Sequence, residues 1–394
     1  MRGDLRRECF RRAFIFVAGA GDGALPSVGM TNRSDGRRPS YHFFFRSRHI
    51  TTPLPSQDLR LARPSFDAAL SALQVWFDTG PAEEDDEGRM SLAELLGRLA
   101  TDPIDRALLE AAFFPLFGAD PLEVSARAIR EEMRCIGGDV HLTLAGEDKW
   151  FDRTAGAIAV CMSAELPPER LILSCPVTSV VVGDDDGDGN GRGEAAAWVG
   201  CGDGNRIRAG RVLLAVPVAA LHAIDFEPNI PCIGPEGSAR MNAGRVVKLW
   251  ARATIGTGRA VAAAIPTTRL HVGRSPLRLL RAMDLCDGEF LLSAQALAED
   301  AAGRDPLELF AETCPPGLAI REAEAKDWPA DPYARASWMA EATRGEHAGT
   351  VFAGDFGPLR VIGGDVARDW AGWMEGAVLS GEEAAAAIIA IEGP

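Results

Sequence analysis

The run Trp370–Ala377, with the sequence WAGWMEGA, holds residue types and spacings that suit the binding of a planar ligand. Its small side chains stand where we expect a long helix to begin, near Trp373, and small residues let a flat ligand approach the backbone closely. The first N–H groups of that helix and the positive end of its dipole would face anionic atoms of the ligand. The alternative is an Ala-rich surface helix packed on a strand, which would need no ligand.

Two further features could carry chemistry. Residues Thr350–Ala353 are predicted as a strand leading toward the helix, and Gly354–Asp355 as the turn that ends this strand. Lys248 is a lone cation within the apolar strand pattern of Arg245–Thr254. Because a lysine is costly to bury without a partner, Lys248 either points to solvent or serves a site.

Charge is distributed unevenly along the chain. The 394 residues carry a formal net charge of −15, which argues against nucleic acid and anionic membrane surfaces as partners. Residues 1–65 hold twelve Arg and five acidic residues, so this segment is basic while the remainder is strongly acidic. The first segment therefore differs in composition from the rest of the chain.

Cysteine and histidine usage favours a protein without disulfides or a bound metal. The eight Cys are scattered and form no CxxC pair, which is typical of free thiols in a reducing compartment. The six His are equally dispersed. We predict no metal site, and no apolar run reaches the roughly 18–20 residues that span a bilayer.

The elements that must position these residues are a helical region followed by strands. Residues 66–135 are predicted as helices, one of which opens with a capping box at Ser91 and Glu94. Further helices are predicted at Asp105–Phe117, Leu122–Cys135 and Lys149–Leu166. Asp184–Glu194 is predicted as a hairpin loop, and Ala195 at the position of the bidentate Glu argues against calcium. Strands are predicted at Arg170–Cys175, Val177–Val182, Arg206–Pro217, Arg245–Thr254, Ala260–Pro266, Leu277–Met283 and Glu289–Gln295, the last four in a mixed sheet with one buried face.

The C-terminal elements AGD, WAGWMEGA and SGEEAA, in this order and spacing, closely resemble the flavin-binding segment of the flavin-containing amine oxidases. The pattern WxGxMEGA is most similar to that of the monoamine oxidases. The stretch from Val177 to Pro231, with its Val216-Pro217 turn, resembles the same family. The resemblance implies an α/β fold: a two-domain, FAD/NAD(P)-binding flavoprotein with a mixed-sheet plus helices substrate domain.

The resemblance also implies roles for individual residues. Lys248, in a G-x-V-x-K pattern, matches the family lysine that holds a water against flavin N5. The spacing of Trp328 and Ser337-Trp338 matches a Trp–Cys–Tyr stretch whose Cys carries the flavin, so Ser337 implies non-covalent FAD. Trp338 and Trp373 would form the two walls of an aromatic cage and, with Lys248, the catalytic set. The implied cofactor-binding residues are Val177, Trp328, Gly354, Asp355, Trp373, Met374 and Ala377.

The chain departs from the family pattern near its N-terminus. Ala13–Ala24 superficially matches a dinucleotide fingerprint, but Leu25-Pro26-Ser27 follows where a helix should continue. We therefore predict an N-terminally truncated member whose residues 1–57 form an irregular, Arg-rich segment. The predicted substrate domain comprises 58–154 and 241–340, and the predicted FAD-binding domain comprises 155–240 and 341–394.

The implied activity is FAD-dependent oxidation of a small-molecule amine to an imine and aldehyde, with oxygen consumed and hydrogen peroxide released. One alternative is a flavin-dependent desaturase of related fold. Another is a catalytically inactive, truncated paralogue that acts as an interaction protein. We expect a cytoplasmic protein that could form a homodimer, with an organellar location as the alternative because of the Arg-rich N-terminus.

Overall fold

In the computed structural model the chain divides into two units, each with its own sheets. Unit 1 comprises Met1–Arg37, Glu147–Ala239 and Ala348–Pro394, and unit 2 comprises Arg38–Gly146 and Arg240–His347. The structure describes residues 30–32, 42–47, 50–53, 63–81, 84–145, 149–151, 156–183, 196–230, 232–233, 241–255, 268–272, 276–286, 288–314, 318–342, 348–352 and 354–392. None of the helices in these ranges is long and apolar enough to cross a membrane.

The helices and strands follow one another along both units. The helices are α1 Pro64–Thr79, α2 Glu84–Arg89, α3 Leu92–Leu99, α4 Pro103–Phe117, α5 Ala126–Cys135, α6 Val140–Ala145, α7 Gly156–Ser163, α8 Ala298–Ala301, α9 Pro306–Thr313, α10 Ala348–Val351 and α11 Met374–Glu392. The strands are β1 Met30–Asn32, β2 His42–Ser47, β3 Ile50–Pro53, β4 Lys149–Phe151, β5 Val177–Gly183, β6 Ala196–Cys201, β7 Arg206–Ala209, β8 Val212–Leu214, β9 Asp225–Glu227, β10 Met241–Ala243, β11 Val246–Ile255, β12 Thr268–Val272, β13 Leu279–Cys286, β14 Glu289–Leu297, β15 Leu318–Asp327, β16 Met339–Glu341 and β17 Leu359–Val361.

The helical part of unit 2 forms as its sequence predicts. Ser91 Oγ accepts from Glu94 N at 3.1 Å and the Glu94 carboxylate accepts from Ser91 N at 2.8 Å, which confirms the capping box of α3. The helices predicted at Asp105–Phe117 and Leu122–Cys135 are confirmed as α4 and α5, although α5 begins later, at Ala126. Their apolar faces meet in one buried cluster with α1.

The sheet of unit 2 supplies the floor on which the candidate residues lie. Its strand order is β15-β11-β14-β13-β12-β2-β3, and its pairs are antiparallel except the parallel pair β12–β2. Side chains alternate between faces along a strand, so one face packs on α9 through the apolar residues of β11 and β14. We call the other the site face, defined by Val246, Lys248 and Trp250 of β11 and Ser293, Gln295 and Leu297 of β14, which are cross-strand partners.

Unit 1 combines small sheets with the long C-terminal helix. One sheet has the order β7-β6-β5-β9, and β17 pairs in parallel with β8. After β17 the chain makes a short 3₁₀ turn at Gly364–Val366 and enters α11 at Met374, one residue after the predicted start. This helix is the element that carries the WAGWMEGA run into unit 1.

Thr350–Ala353 and Arg206–Pro217 are two of the strand predictions that are wrong in unit 1. Thr350–Ala353 does not form a strand, because its first residues lie in the helical turn α10, and the strand that precedes α11 is β17. Arg206–Pro217 does not form one strand but two: β7 pairs with β6, whereas β8 pairs with β17. The break falls at Gly210, which has no side chain to pack in a strand, so the chain changes sheet there.

Three other predictions need correction. Lys149–Leu166 is helical only from Gly156, because Lys149–Phe151 pairs with β1. Arg170–Cys175 is not a strand: it follows the Pro-initiated 3₁₀ turn Pro168–Arg170, and Ser174 has φ 54°. Residues 1–57 are not wholly irregular, since β2, a Phe-rich segment of the kind favoured in strands, pairs with β12 and β3.

The remaining predictions are either confirmed or fall outside the described residues. The strands predicted at the positions of β5, β11, β13 and β14 are confirmed within three residues at each end. The predictions for Ala13–Ala24, Asp184–Glu194 and Ala260–Pro266 lie outside the described residues.

Candidate active site

Lys248 and Trp338 lie together on the site face of unit 2. The Lys248 Nζ atom is 5.5 Å from the centroid of the Trp338 ring, within the range of a cation–π contact. Lys248 belongs to β11, and Trp338 directly precedes β16. The lone lysine of the strand pattern therefore does not simply point to solvent: it lies half-buried against an aromatic ring.

The environment of Lys248 disfavours its charge. Burial lowers the pKa of the Lys248 ammonium, and no charged neighbour in the part of the chain that the structure describes contributes to the shift. Its cross-strand partners are Gln295 and Lys326, neither of which is acidic. Since a desolvated amine without a counter-ion releases its proton more readily, Lys248 suits hydrogen bonding to a water or a ligand better than it suits a structural ion pair.

Trp338 is held in place by three elements. Its Nε1 donates a hydrogen bond of 2.8 Å to the carbonyl oxygen of Leu116 at the end of α4. Its ring packs with Phe114, Val246 and Leu297. Gly118, in the left-handed region at φ 61°, leaves room for the ring, because a Cβ there would lie 2.9 Å from Cζ2 of Trp338. The indole plane is therefore fixed before any ligand binds.

Ser337 joins the strand ends beside Lys248. Its Oγ accepts a hydrogen bond from Val246 N at 3.3 Å, and its backbone N–H donates to Gly244 O at 2.8 Å. Gly244 N donates to Trp338 O at 2.7 Å. A Cβ at Gly244 would lie 2.5 Å from Ser337 Oγ, so this approach requires glycine. The hydroxyl thus has a structural partner and offers no thiol for covalent attachment of a cofactor.

Trp328 is not grouped with Lys248 and Trp338 by any contact of the described residues. Its ring lies 5.0 Å from the Nζ atom of Lys326, which is ion-paired with Asp331. Lys326 is the direct neighbour of Lys248 in the sheet. Trp328 therefore contacts a different lysine at the end of β15.

Trp373 lies in a tight turn at the start of α11 in unit 1. Its ring meets the Trp370 ring edge-on, with centroids 6.2 Å apart. Trp370 and Gly372 have φ angles of 60° and 79°, and Gly372 N donates to Gly364 O at 2.9 Å. A Cβ at Gly376 would lie 2.8 Å from Ala367 Cβ and 2.9 Å from the carbonyl carbon of Trp370, so only glycine allows this turn.

The other predicted cofactor-binding residues of unit 1 are spread over its surface. Met374 is 57% exposed and Ala377 is exposed on the first turn of α11. Gly354 is exposed with φ 92° and nothing within 4 Å of a Cβ position, and Asp355 lies 3.4 Å from Arg360. Val177 opens β5 and pairs with Cys201.

These residues fit a flat, anionic group at the start of α11. The first N–H groups of a helix have no intrahelical acceptor, and here the small residues Gly376 and Ala377 flank them, with the open surface at Gly354 in the same unit. These N–H groups suit the anionic edge of a flavin ring. In unit 2, taken by itself, Lys248 and Trp338 place an amine beside an aromatic ring.

Sequence reasoning missed Gln295 and the Cys175–Cys201–Asp203 group. Gln295 is 8% exposed, and its Oε1 has no hydrogen-bond partner among the described residues. The alternation of β14 around Ser293 and Gln295 could have signalled a polar residue on the face of Lys248.

The cysteine group lies in unit 1, where the Sγ atoms of Cys175 and Cys201 and the Asp203 carboxylate lie within 4.8 Å of one another. Burial and Cys175 raise the pKa of Cys201 to about 11, and Asp203 accepts from Asn205 N and Nδ2.

Comparison with known proteins identifies the family. The sequence model of the flavin containing amine oxidoreductases matches residues 57–253 and 304–389, which is more than half of the chain. The chain therefore belongs to the flavin-containing amine oxidoreductase family. A pseudooxynicotine dehydrogenase from Pseudomonas sp. is 25% identical over 190 residues, a match that spans 45% of this chain and 36% of that protein. The match thus covers about a third of the relative's length.

Solved structures share the fold. Cyclohexylamine oxidase from Brevibacterium oxydans IH-35A superposes with a TM-score of 0.72 at 20% identity, over 92% of this chain and 83% of that one. Wild-type putrescine oxidase bound to putrescine gives a TM-score of 0.72 at 18% identity with the same coverage. The chain therefore has the amine-oxidase-like, FAD-binding α/β fold predicted from its sequence.

Proposed function

We propose that this protein binds FAD non-covalently and oxidises an amine, with unit 1 holding the cofactor and unit 2 the substrate. The observation that carries the proposal is the Lys248–Trp338 pair, a half-buried amine with no acidic partner among the described residues, against a fixed aromatic ring. A structural lysine in a sheet would be expected to find an acid or solvent. Here Lys248 has only the ring and polar neighbours that could share a ligand.

The FAD would be held by the N-terminus of α11 at Met374 and Ala377, the open turn at Gly354 and Asp355, and the backbone of Val177. When bound, it supplies the acceptor for the hydride equivalent of the amine and passes two electrons to oxygen, giving hydrogen peroxide. The substrate loses a hydride from carbon and a proton from nitrogen to form an imine, and water converts the imine to an aldehyde and ammonia.

The chain's own residues orient and desolvate the substrate. The Trp338 indole, fixed through Leu116 and Gly118, provides a flat wall for a neutral amine. Lys248, whose pKa is lowered by burial, holds a water beside the site and moves protons through it. Ser337 has a hydroxyl in place of a thiol, so the cofactor is not attached there. We assign the protein to the cytoplasm because the six cysteines that the structure describes are free thiols.

A second candidate function changes only the electron acceptor. The matched Pseudomonas protein is named a dehydrogenase, so the same amine oxidation could pass electrons to an acceptor other than oxygen. Peroxide release and dye reduction, measured side by side with an amine panel, separate the two.

The test of the proposal begins with the visible absorption spectrum of the purified chain before and after incubation with excess FAD and desalting. We expect a retained flavin band that an amine from the panel bleaches without oxygen. A chain that retains no flavin is not an amine oxidase by itself. Retained flavin that no amine reduces would favour a desaturase of related fold.

A further inference from the structure

Gln295 is a buried polar residue that the proposed mechanism does not use. It lies in β14, only 8% exposed, and its Oε1 has no hydrogen-bond partner among the described residues. Leaving a buried acceptor without a hydrogen bond costs free energy. Native structures keep few such groups, so this one is a candidate for a ligand contact.

Register places Gln295 beside the candidate catalytic residues. It is directly opposite Lys248 in the antiparallel pair β11–β14, and directly opposite side chains share a face at a Cβ separation of about 4.5–5.5 Å. On the same face, Val246 and Leu297 pack against Trp338. Gln295 therefore lies on the site face between Lys248 and Leu279, its partner on the other side.

The charges around Gln295 limit what can bind it. Its neighbours on the site face are Lys248, Trp250, Leu279, Arg281 and Ser293, none of which is a carboxylate. Lys326, the next group along the sheet, is already ion-paired with Asp331.

Glu110 belongs to α4, which packs against β13. Burial raises the pKa of Glu110, Asp120 adds to the rise, and Arg106 and Arg278 oppose it. Glu324, opposite Trp250, is exposed and lies two strands from Gln295. Among the described residues next to Gln295 on the site face, the charged side chains are the cations Lys248 and Arg281, which disfavour a second ammonium on the substrate. A neutral donor meets an unsatisfied acceptor there.

We propose that Gln295 selects amines that carry a neutral hydrogen-bond donor, a hydroxyl or amide N–H, remote from the carbon that is oxidised. The donor completes the hydrogen bonding of Oε1 when the substrate is bound. Gln295 acts as a specificity-determining residue and takes no part in electron transfer. This inference rests on the proposed amine oxidation and narrows its substrate class.

The experiment compares straight-chain primary amines of increasing length with their ω-hydroxy and ω-amino counterparts, using FAD-loaded full-length protein. We expect kcat/KM for the best ω-hydroxy amine to exceed that of its alkyl counterpart about 10- to 100-fold. In Gln295→Leu this preference disappears, mainly through a higher KM for the ω-hydroxy series. Gln295→Glu, which adds a carboxylate, shifts preference to the ω-amino series.

Binding of a non-oxidisable probe separates this inference from the proposed function. An ω-hydroxy amine with two methyl groups on the carbon bearing nitrogen has no hydrogen there to lose, so calorimetry reports binding alone. Weaker binding to Gln295→Leu, with the flavin spectrum and melting temperature of the wild type retained, supports the assignment. Equal binding, or an unchanged preference among oxidised amines, overturns it and leaves the amine oxidation intact. If no amine reduces the flavin, the proposed function fails, and the calorimetric comparison still decides the role of Gln295.

Discussion

Adding one methyl group to α11 should have opposite effects at two glycines. At Gly376 a new Cβ would lie 2.8 Å from Ala367 Cβ and 2.9 Å from the carbonyl carbon of Trp370. The carbonyl oxygen of Trp370 lies closer still, well inside the 3.4 Å at which ordinary van der Waals contact begins, and this backbone cannot rotate away. At Gly381, in the same helix, nothing lies within 4 Å of the Cβ position.

The expected magnitudes follow from these two environments. Replacing an unhindered helical glycine by alanine stabilises a helix by about 0.5–1 kcal/mol, which is the expected effect of Gly381→Ala. Overpacking costs about 1–3 kcal/mol. Because the overlap is with backbone, the cost at Gly376 lies at the upper end of this range. After subtracting the same helix gain, Gly376→Ala should destabilise the start of α11 by about 2–2.5 kcal/mol.

The assay is hydrogen exchange of peptides covering residues 363–392, compared among the wild type and both variants. A local readout is needed because a chain with two units is not expected to unfold in one step. We expect faster exchange in Gly376→Ala, slower exchange in Gly381→Ala, and loss of retained flavin only in the former. Similar protection in both variants would refute the tight packing of the WAGWMEGA turn.

Four further predictions concern residues of unit 2. Lys248→Met should leave the fold intact and slow flavin reoxidation by about 100-fold or more, which is the typical effect of losing a proton-transfer group. If stopped flow shows an unchanged rate of reoxidation of the reduced flavin, Lys248 has no role in that step. Burial lowers the pKa of Lys248 in the folded state, so below this folded-state pKa the wild type is destabilised by a buried charge. The wild type regains this stability as the pH rises from the folded-state pKa toward 10.5, the pKa of Lys248 in the unfolded chain. Denaturant melts should therefore show a stability advantage of Lys248→Met that shrinks with rising pH, and a constant difference would contradict this. Glu341→Ala should destabilise unit 2 by about 3 kcal/mol, because the buried carboxylate accepts a hydrogen bond from Ser125 and pairs with Arg127 at 2.6 Å. A denaturant melt within error of the wild type would show that the ion pair is dispensable. Acid precipitation of the FAD-loaded protein should release all of its flavin into the supernatant, since Ser337 cannot form a thioether; flavin in the pellet would disprove non-covalent binding.

Local patterns predicted much of unit 2. Ser91 and Glu94 sit at the spacing of a capping box, and a cap depends only on neighbouring residues, so α3 could be located directly. The alternating residues of β11 and β14 likewise specify strands with one buried face. The pattern could not say which partner lies beside each strand, because pairing joins residues far apart in sequence.

Long-range pairing explains the misplaced strands. The segment Thr350–Ala353 has strand-like composition, yet β17 pairs with β8 and takes the place before α11. Arg206–Pro217 appears continuous in sequence, but its two halves pair with different partners. Propensity is a weak signal when a competing pairing exists in the fold.

The sequence by itself determined the family, the flavin-binding type of fold and the candidate residues Lys248, Trp338 and Trp373, because these rest on residue types at short, characteristic spacings. Only the tertiary structure decided that, among the described residues, Lys248 meets the Trp338 ring and Gln295 lies beside it with an acceptor that has no hydrogen-bond partner. Register, burial and charge compensation arise from contacts between distant segments, and no local pattern encodes them.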